Sequence, residues 1–194
     1  MKPIVLLSLI LSICTGTKLY SQEPEFKRNS IRTGIGIGFN EGKRETGVGL
    51  IYSIGLQKSY GSQNRLRLNP NLMIGGFLPL MTDTRDQSYR ITSLEMNLHY
   101  DALKHKSFSL VTSGGVLLNY SRGLLGTGGY NQGQFVSSEY FNTLYFGGSA
   151  SIGGRMNPAK SKLAFEVRPV SLQFGNNGFV LGYMMLGIDF KIKK

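Results

Sequence analysis

In the segment Ser30–Asn40 (SIRTGIGIGFN), Ile31, Thr33, Ile35, Ile37 and Phe39 alternate with Arg32, Gly34, Gly36 and Gly38. Successive side chains of an extended chain point to opposite faces, so a period of two marks a strand with one apolar face and one small or polar face. The period continues to Ile192, and its interruptions divide it into about eight strands: 30–40, 47–60, 64–78, 89–102, 107–121, 138–156, 162–174 and 179–193. Their connections alternate in length. Gly61–Gln63, Leu103–Lys106 and Asn157–Ser161 are tight, whereas 41–46, 79–88, 122–137 and 175–178 include two much longer loops. Short turns on one rim and longer loops on the other are the arrangement of a transmembrane β-barrel. The expected fold is all-β, a closed antiparallel up-and-down barrel spanning residues 22–194.

The start of the chain fits export. Lys2 precedes the apolar run Ile4–Ile13, which is too short for a membrane-spanning helix of about 20 residues and has the length of a signal-peptide core. Residues 1–21 are read as a signal peptide cleaved after Ser21, with Gly16 as the alternative site. Cys14, the only cysteine, follows the bulky Ile13, which opposes lipidation. Its loss with the leader leaves no thiol for disulfides, metal ligation or nucleophilic chemistry.

The faces separate a membrane barrel from a soluble one. The non-apolar face in mid-strand is mostly small: Gly49, Ser53 and Gly55; Asn69 and Asn71; Ser109, Ser113 and Gly115; Gly147, Ser149 and Ser151. Small residues suit the crowded interior of an eight-stranded barrel. Lysine is missing from the strand middles, where the water-facing side of a lipocalin-like barrel would carry it. The lipid face is read as Val48, Leu50, Tyr52, Ile54, Leu56; Leu66, Leu68, Leu72, Ile74, Leu78; Leu94, Met96, Leu98, Tyr100; and Phe108, Leu110, Val116, Leu118, Tyr120. Tyr60, Tyr100, Tyr120 and Tyr140 fall near strand ends, where an aromatic girdle belongs. Pro70 and Pro169 predict bulges or breaks, because a closed barrel has no free edge for a residue without an N–H. Leu181, Tyr183 and Met185 leave the last strand apolar on its inner face as well.

The formal charge of +11 becomes +9 without Lys2 and Lys18. Lys104, Lys106, Lys160, Lys191, Lys193 and Lys194 cluster in turns and at the chain end, on one rim. That distribution opposes nucleic-acid binding and leaves room for contact with anionic lipid headgroups at that rim.

The ending Gly187-Ile188-Asp189-Phe190-Lys191-Ile192 resembles the C-terminal signal of outer-membrane barrels, with Gly187, Phe190 and Ile192 at the motif positions. Its last hydrophobic residue is aliphatic, and Lys193-Lys194 follows it. With the leader and the strand pattern, the chain resembles the small outer-membrane β-barrel families, of OmpX-like or OmpA-membrane-domain-like architecture. The resemblance implies residence in the outer membrane, contact with its lipids and recognition by the barrel-assembly machinery.

Chemistry is sparse. Arg32, Arg65, Arg67, Arg155 and Arg168 are expected to face inward with Glu95, Asp101, Glu166 and Asp189, forming a lumen network, since isolated buried ions are very costly. His99, between Asn97 and Asp101, is expected to join it. A catalytic set of Glu95, His99 and a serine lacks any recognisable nucleophile motif, because Tyr100 and Asp101 follow the histidine. Two histidines without ligand spacing predict no metal, and Gly34-x-Gly36-x-Gly38 is a glycine-rich strand, not a phosphate loop. No cofactor is expected. The loop Arg122–Ser137, with Leu124, Leu125, Tyr130 and Phe135, is the expected contact for an extracellular partner, or else a cover for the barrel mouth. The expected role is that of a monomeric structural, adhesive or loop-binding barrel. The alternatives are a lipid-modifying enzyme of the outer membrane and a soluble barrel holding an apolar ligand.

Overall fold

Residues 29–61, 63–79, 88–126, 138–158 and 161–192 are described by a computed structural model. The leader with Cys14, and Tyr130, Phe135, Lys160, Lys193 and Lys194, lie outside them. Eight strands follow in order: β1 (Asn29–Glu41), β2 (Thr46–Tyr60), β3 (Leu66–Pro79), β4 (Tyr89–His105), β5 (Phe108–Gly126), β6 (Ser138–Met156), β7 (Leu163–Gly175) and β8 (Val180–Lys191). Each pairs antiparallel with the next, and β8 returns to β1 with Gly34 opposite Gly187, closing the barrel.

The two-residue period becomes two walls. Ile35, Leu50, Val116 and Leu186 on the outside are 60%, 64%, 65% and 60% exposed, far more apolar surface than water tolerates in one continuous band. Across β3–β6, Leu72, Leu94, Leu118 and Phe146 lie side by side as one row of it. No helix among the described residues is long and apolar enough to cross a membrane; the strands present the apolar surface instead.

Both prolines disturb the ladders as their missing N–H requires. Pairing of β2 with β3 lapses between Gly55–Asn71 and Lys58–Leu68, around Pro70, while the β4 side stays paired through Pro70–Met96. At Pro169 the register shifts against both neighbours, between Ile152 and Gly154 on β6 and between Arg168 and Ser171 on β7. A third shift, between Asp101 and Leu103, carries no sequence signal.

Two expectations are corrected. The inner face is small and polar for only part of its height. Toward the long-loop rim it is a hydrophobic core of Ile51, Met73, Phe77, Ile91, Phe141, Phe179 and Leu181, with Phe77 stacked on Tyr89 at 5.4 Å and Tyr145 on Phe179 at 4.7 Å. Burying such a side chain contributes about 1.5–3 kcal/mol, so the lumen stabilises the barrel from within. Second, β5 runs to Gly126 instead of ending at residue 121, because it keeps pairing with β6 beyond the point where β4 ends. On the other side, β6 meets β7 only as far up as Gly147–Gly175. The β5–β6 hairpin therefore extends beyond β4 and β7, and no strand among the described residues lies beside 138–146 on the β7 side.

Candidate functional site

Seven strands send charged or amide side chains into the short-turn half of the lumen, and β5 adds the buried Ser109 opposite Arg155. Glu166 on β7 is the hub. Its carboxylate accepts from Arg32 Nη2 at 2.6 Å and Nη1 at 3.0 Å, and from Arg67 Nη1 at 3.4 Å. Arg168 Nε is 3.7 Å away and His99 Nδ1 4.0 Å. Arg67 Nη2 donates to Asp101 at 2.7 Å, and Arg155 Nη2 to Asp189 at 2.8 Å. Gln57 joins the two ends: its Oε1 accepts from Arg67 at 3.1 Å, and its Nε2 donates to Asp189 at 3.3 Å. The arrangement holds four guanidiniums against three carboxylates, all essentially removed from solvent.

Two predicted members stand apart. Arg65 lies in the β2–β3 turn, half-buried, where its carbonyl accepts from the Asp101 N–H at 2.9 Å. Glu95 sits higher in the lumen in no ion pair with a described residue, receiving amide hydrogen bonds from Asn97 at 2.5 Å, Asn71 at 3.4 Å and Gln173. Neutral amides thus take the place of the expected arginines. Gln57, Gln173 and Asn97 carry no sequence signal of this role, because an amide on an inner face has no charge that demands a partner. His99 is wholly buried.

At the long-loop rim, a buried carboxylate anchors the β1–β2 turn. The Tyr145 hydroxyl donates to both oxygens of Glu45, at 3.0 and 3.1 Å, and accepts from the Lys43 N–H at 3.1 Å. Gly42 closes the turn with an N–H to Glu45 carbonyl bond of 2.7 Å, and a Cβ there would lie 2.7 Å from Glu45 Cδ. Tyr145→Phe leaves the Glu45 carboxylate without its main donor. A loss of about 1–3 kcal/mol is expected from urea unfolding in lipid vesicles, and an unchanged midpoint would show the turn to be held by other contacts.

The turn faces the unpaired edge of β6. Phe146 N–H donates to Asn176 Oδ1 at 3.0 Å across that edge. Backbone groups of a strand alternate sides, so those of Leu144, Asn142 and Tyr140 point the same way, and no strand among the described residues meets them. Beside them opens a cleft of about 340 Å³ lined by Lys43, Arg44, Tyr140, Asn142, Thr143 and Asn177. Arg44 reaches Glu139 at 3.2 Å, both half-exposed. Leu124 and Leu125, expected in a loop, belong to β5 opposite Tyr140 and Glu139; Leu124 faces out, and Leu125 packs on the lumen core. At the other rim Phe190 faces outward at 46% exposure, Ile192 follows β8 and Gly187 faces the lumen.

No protein-family model and no curated protein matches the chain. Solved structures do. Neisserial surface protein A superposes with a TM-score of 0.58 at 10% identity, over 84% of this chain and 97% of that one. Ail, the attachment invasion locus protein of Yersinia pestis, gives 0.51 at 11% identity, over 84% and 96%. Its complex with the heparin analogue sucrose octasulfate gives 0.53 at 12%, over the same shares. The fold is that of the small outer-membrane β-barrels. With its continuous apolar outer wall and charged interior, the molecule is built as a multi-pass membrane barrel.

Proposed function

We propose that this protein is a monomeric outer-membrane barrel, plugged by its own side chains, whose role is adhesive and is carried by the β5–β6 hairpin. The observation behind this reading is the edge of β6 at residues 138–146, which runs on beyond the end of β7 beside the polar cleft and is paired with no strand there among the described residues. A free edge offers N–H and C=O groups to an extended segment of a partner, with alternate side chains supplying selectivity. Ail, a barrel of similar fold, is an attachment invasion locus protein, and an adhesive role here agrees with that use of the fold.

The plug is supported by the burial of Arg32, Arg67 and His99 in the charged half of the lumen, of Gln173 beside Glu95 and of Leu181 in the apolar half. Enclosure of His99 speaks against a lipid-modifying centre there, and the outward apolar wall against a soluble barrel holding its ligand inside. The exposed Phe190 and Ile192 suit recognition of the last strand by the assembly machinery.

Asn142→Pro tests the hairpin. It removes an N–H on the free edge, where the β5–β6 ladder does not use it. Cells displaying the barrel are expected to adhere to host-cell matrix, and the variant to lose at least about tenfold in adhesion with its heat-dependent gel shift intact. Undiminished adhesion by the variant would overturn the edge as the recognition element.

A further inference from the structure

On the outer wall, just above the apolar belt on the long-loop side, four residues lie in one row across β3–β6: Gly76, Arg90, Arg122 and Asn142. All are exposed. Arg90 and Arg122 are directly opposite one another, an arrangement of like charges that destabilises a sheet unless something neutralises it. Neither arginine forms an ion pair with a carboxylate among the described residues. A Cβ built on Gly76 meets nothing within 4 Å, so the wall beside Arg90 is open. The next row toward the membrane centre is Ile74, Thr92, Tyr120 and Leu144, mostly apolar, so the arginines mark the boundary between lipid and headgroup.

Below that boundary the wall is concave. A groove of about 630 Å³, lined by Ile54, Leu72, Leu94, Met96, Val116 and Leu118, lies where the β2–β3 pairing lapses at Pro70. It begins four residues down β4 from Arg90, about 13 Å at strand rise, a span covered by the glycerol and first methylenes of a diacyl lipid.

We propose that Arg90 and Arg122 hold the phosphate of an anionic lipid in the leaflet on the long-loop side, with one acyl chain in the groove beneath. A guanidinium fork matches phosphate oxygens two at a time, and two forks facing each other form a clamp that a single ammonium cannot reproduce. The Asn142 amide stands next in the row as a neutral donor. The clamp turns a destabilising pair into a site whose occupant is chosen by charge and whose chain is accommodated by shape.

Native mass spectrometry of the full barrel in non-ionic detergent, titrated with phosphatidic acid, tests the proposal. One lipid per wild-type barrel is expected to be retained. Retention should weaken at least about tenfold in R90Q/R122Q and stay unchanged in K58Q, which alters a cation toward the opposite rim. Glycerol phosphate, the same headgroup without chains, should neither bind comparably nor displace the lipid. Equal retention by R90Q/R122Q, or an equal loss in K58Q, would overturn the site. Comparable binding of glycerol phosphate would overturn the lipid as its occupant. An unchanged heat-dependent gel shift in R90Q/R122Q separates lost binding from lost folding.

Discussion

Glu166→Ala is expected to destabilise the barrel by about 3–5 kcal/mol, the cost of leaving buried charges without their counterion. Arg32 loses a bidentate partner at 2.6 and 3.0 Å, while Arg67 and Arg168 lose a carboxylate within 4 Å. Bulk solvent does not reach the pair to stand in for it, since the Arg32 and Glu166 side chains are 2% and 1% exposed. The other carboxylates of the network are committed, Asp101 to Arg67 and Asp189 chiefly to Arg155, and Glu95 is held by amides higher in the lumen. Reversible urea unfolding of vesicle-inserted protein, read by unboiled gel mobility, measures the effect. Removing Arg32 together with Glu166 should cost less than the sum of the single changes, because the two groups touch. The exposed pair Arg44–Glu139, at 52% and 55%, provides the contrast and should contribute less than about 1 kcal/mol. A Glu166→Ala barrel no weaker than one lacking the Arg44–Glu139 pair would contradict the role of Glu166 as hub.

Gly147→Val is expected to prevent the barrel from closing between β6 and β7. A Cβ at Gly147 would overlap the Phe174 carbonyl oxygen and lie 2.6 Å from Gly175 Cα, both of them backbone atoms that cannot turn aside. Gly147–Gly175 is also the last pair that β6 makes with β7, so strain there unzips the ladder from its end. The cost is about 3 kcal/mol, or more where pairing is lost, and the readout is the fraction of refolded protein that runs as a compact unboiled band. Gly114→Val is the control. Its Cβ would meet only Ser149 O at 3.7 Å on the exposed outer face, and a β-branched residue suits a strand there. Equal folded fractions for the two variants would refute the steric argument.

Much of the fold is legible in the chain because alternation is local. Ile31 to Phe39 place their own side chains on one face without reference to any other strand, and the same holds for the lipid faces of β2, β4 and β5. The prolines announce their interruptions for the same reason: a missing N–H is a property of the residue. Leu124 and Leu125 read as loop residues because a hairpin can outgrow its sheet, and only pairing partners show it. The apolar upper lumen shows in the sequence only at Leu181, Tyr183 and Met185; elsewhere it is hidden, because alternation fades when both faces are hydrophobic, as at Phe77-Leu78.

The charged cluster is legible as a set of residues and illegible as a network. Glu166 and Glu95 are both inward carboxylates flanked by outward apolar residues, yet one meets three guanidiniums and the other three amides. Arg32 and Glu166 lie 134 residues apart and touch only because the registers of the ladders, with their shifts at Asp101 and Pro169, bring them to the same height. The opposition of Arg90 to Arg122 and the end of β6–β7 pairing at Gly147 arise in the same way. Which face a side chain takes follows from its neighbours in sequence. Which side chain it meets follows from the summed stagger of a closed ring of eight strands, a quantity that no single strand contains.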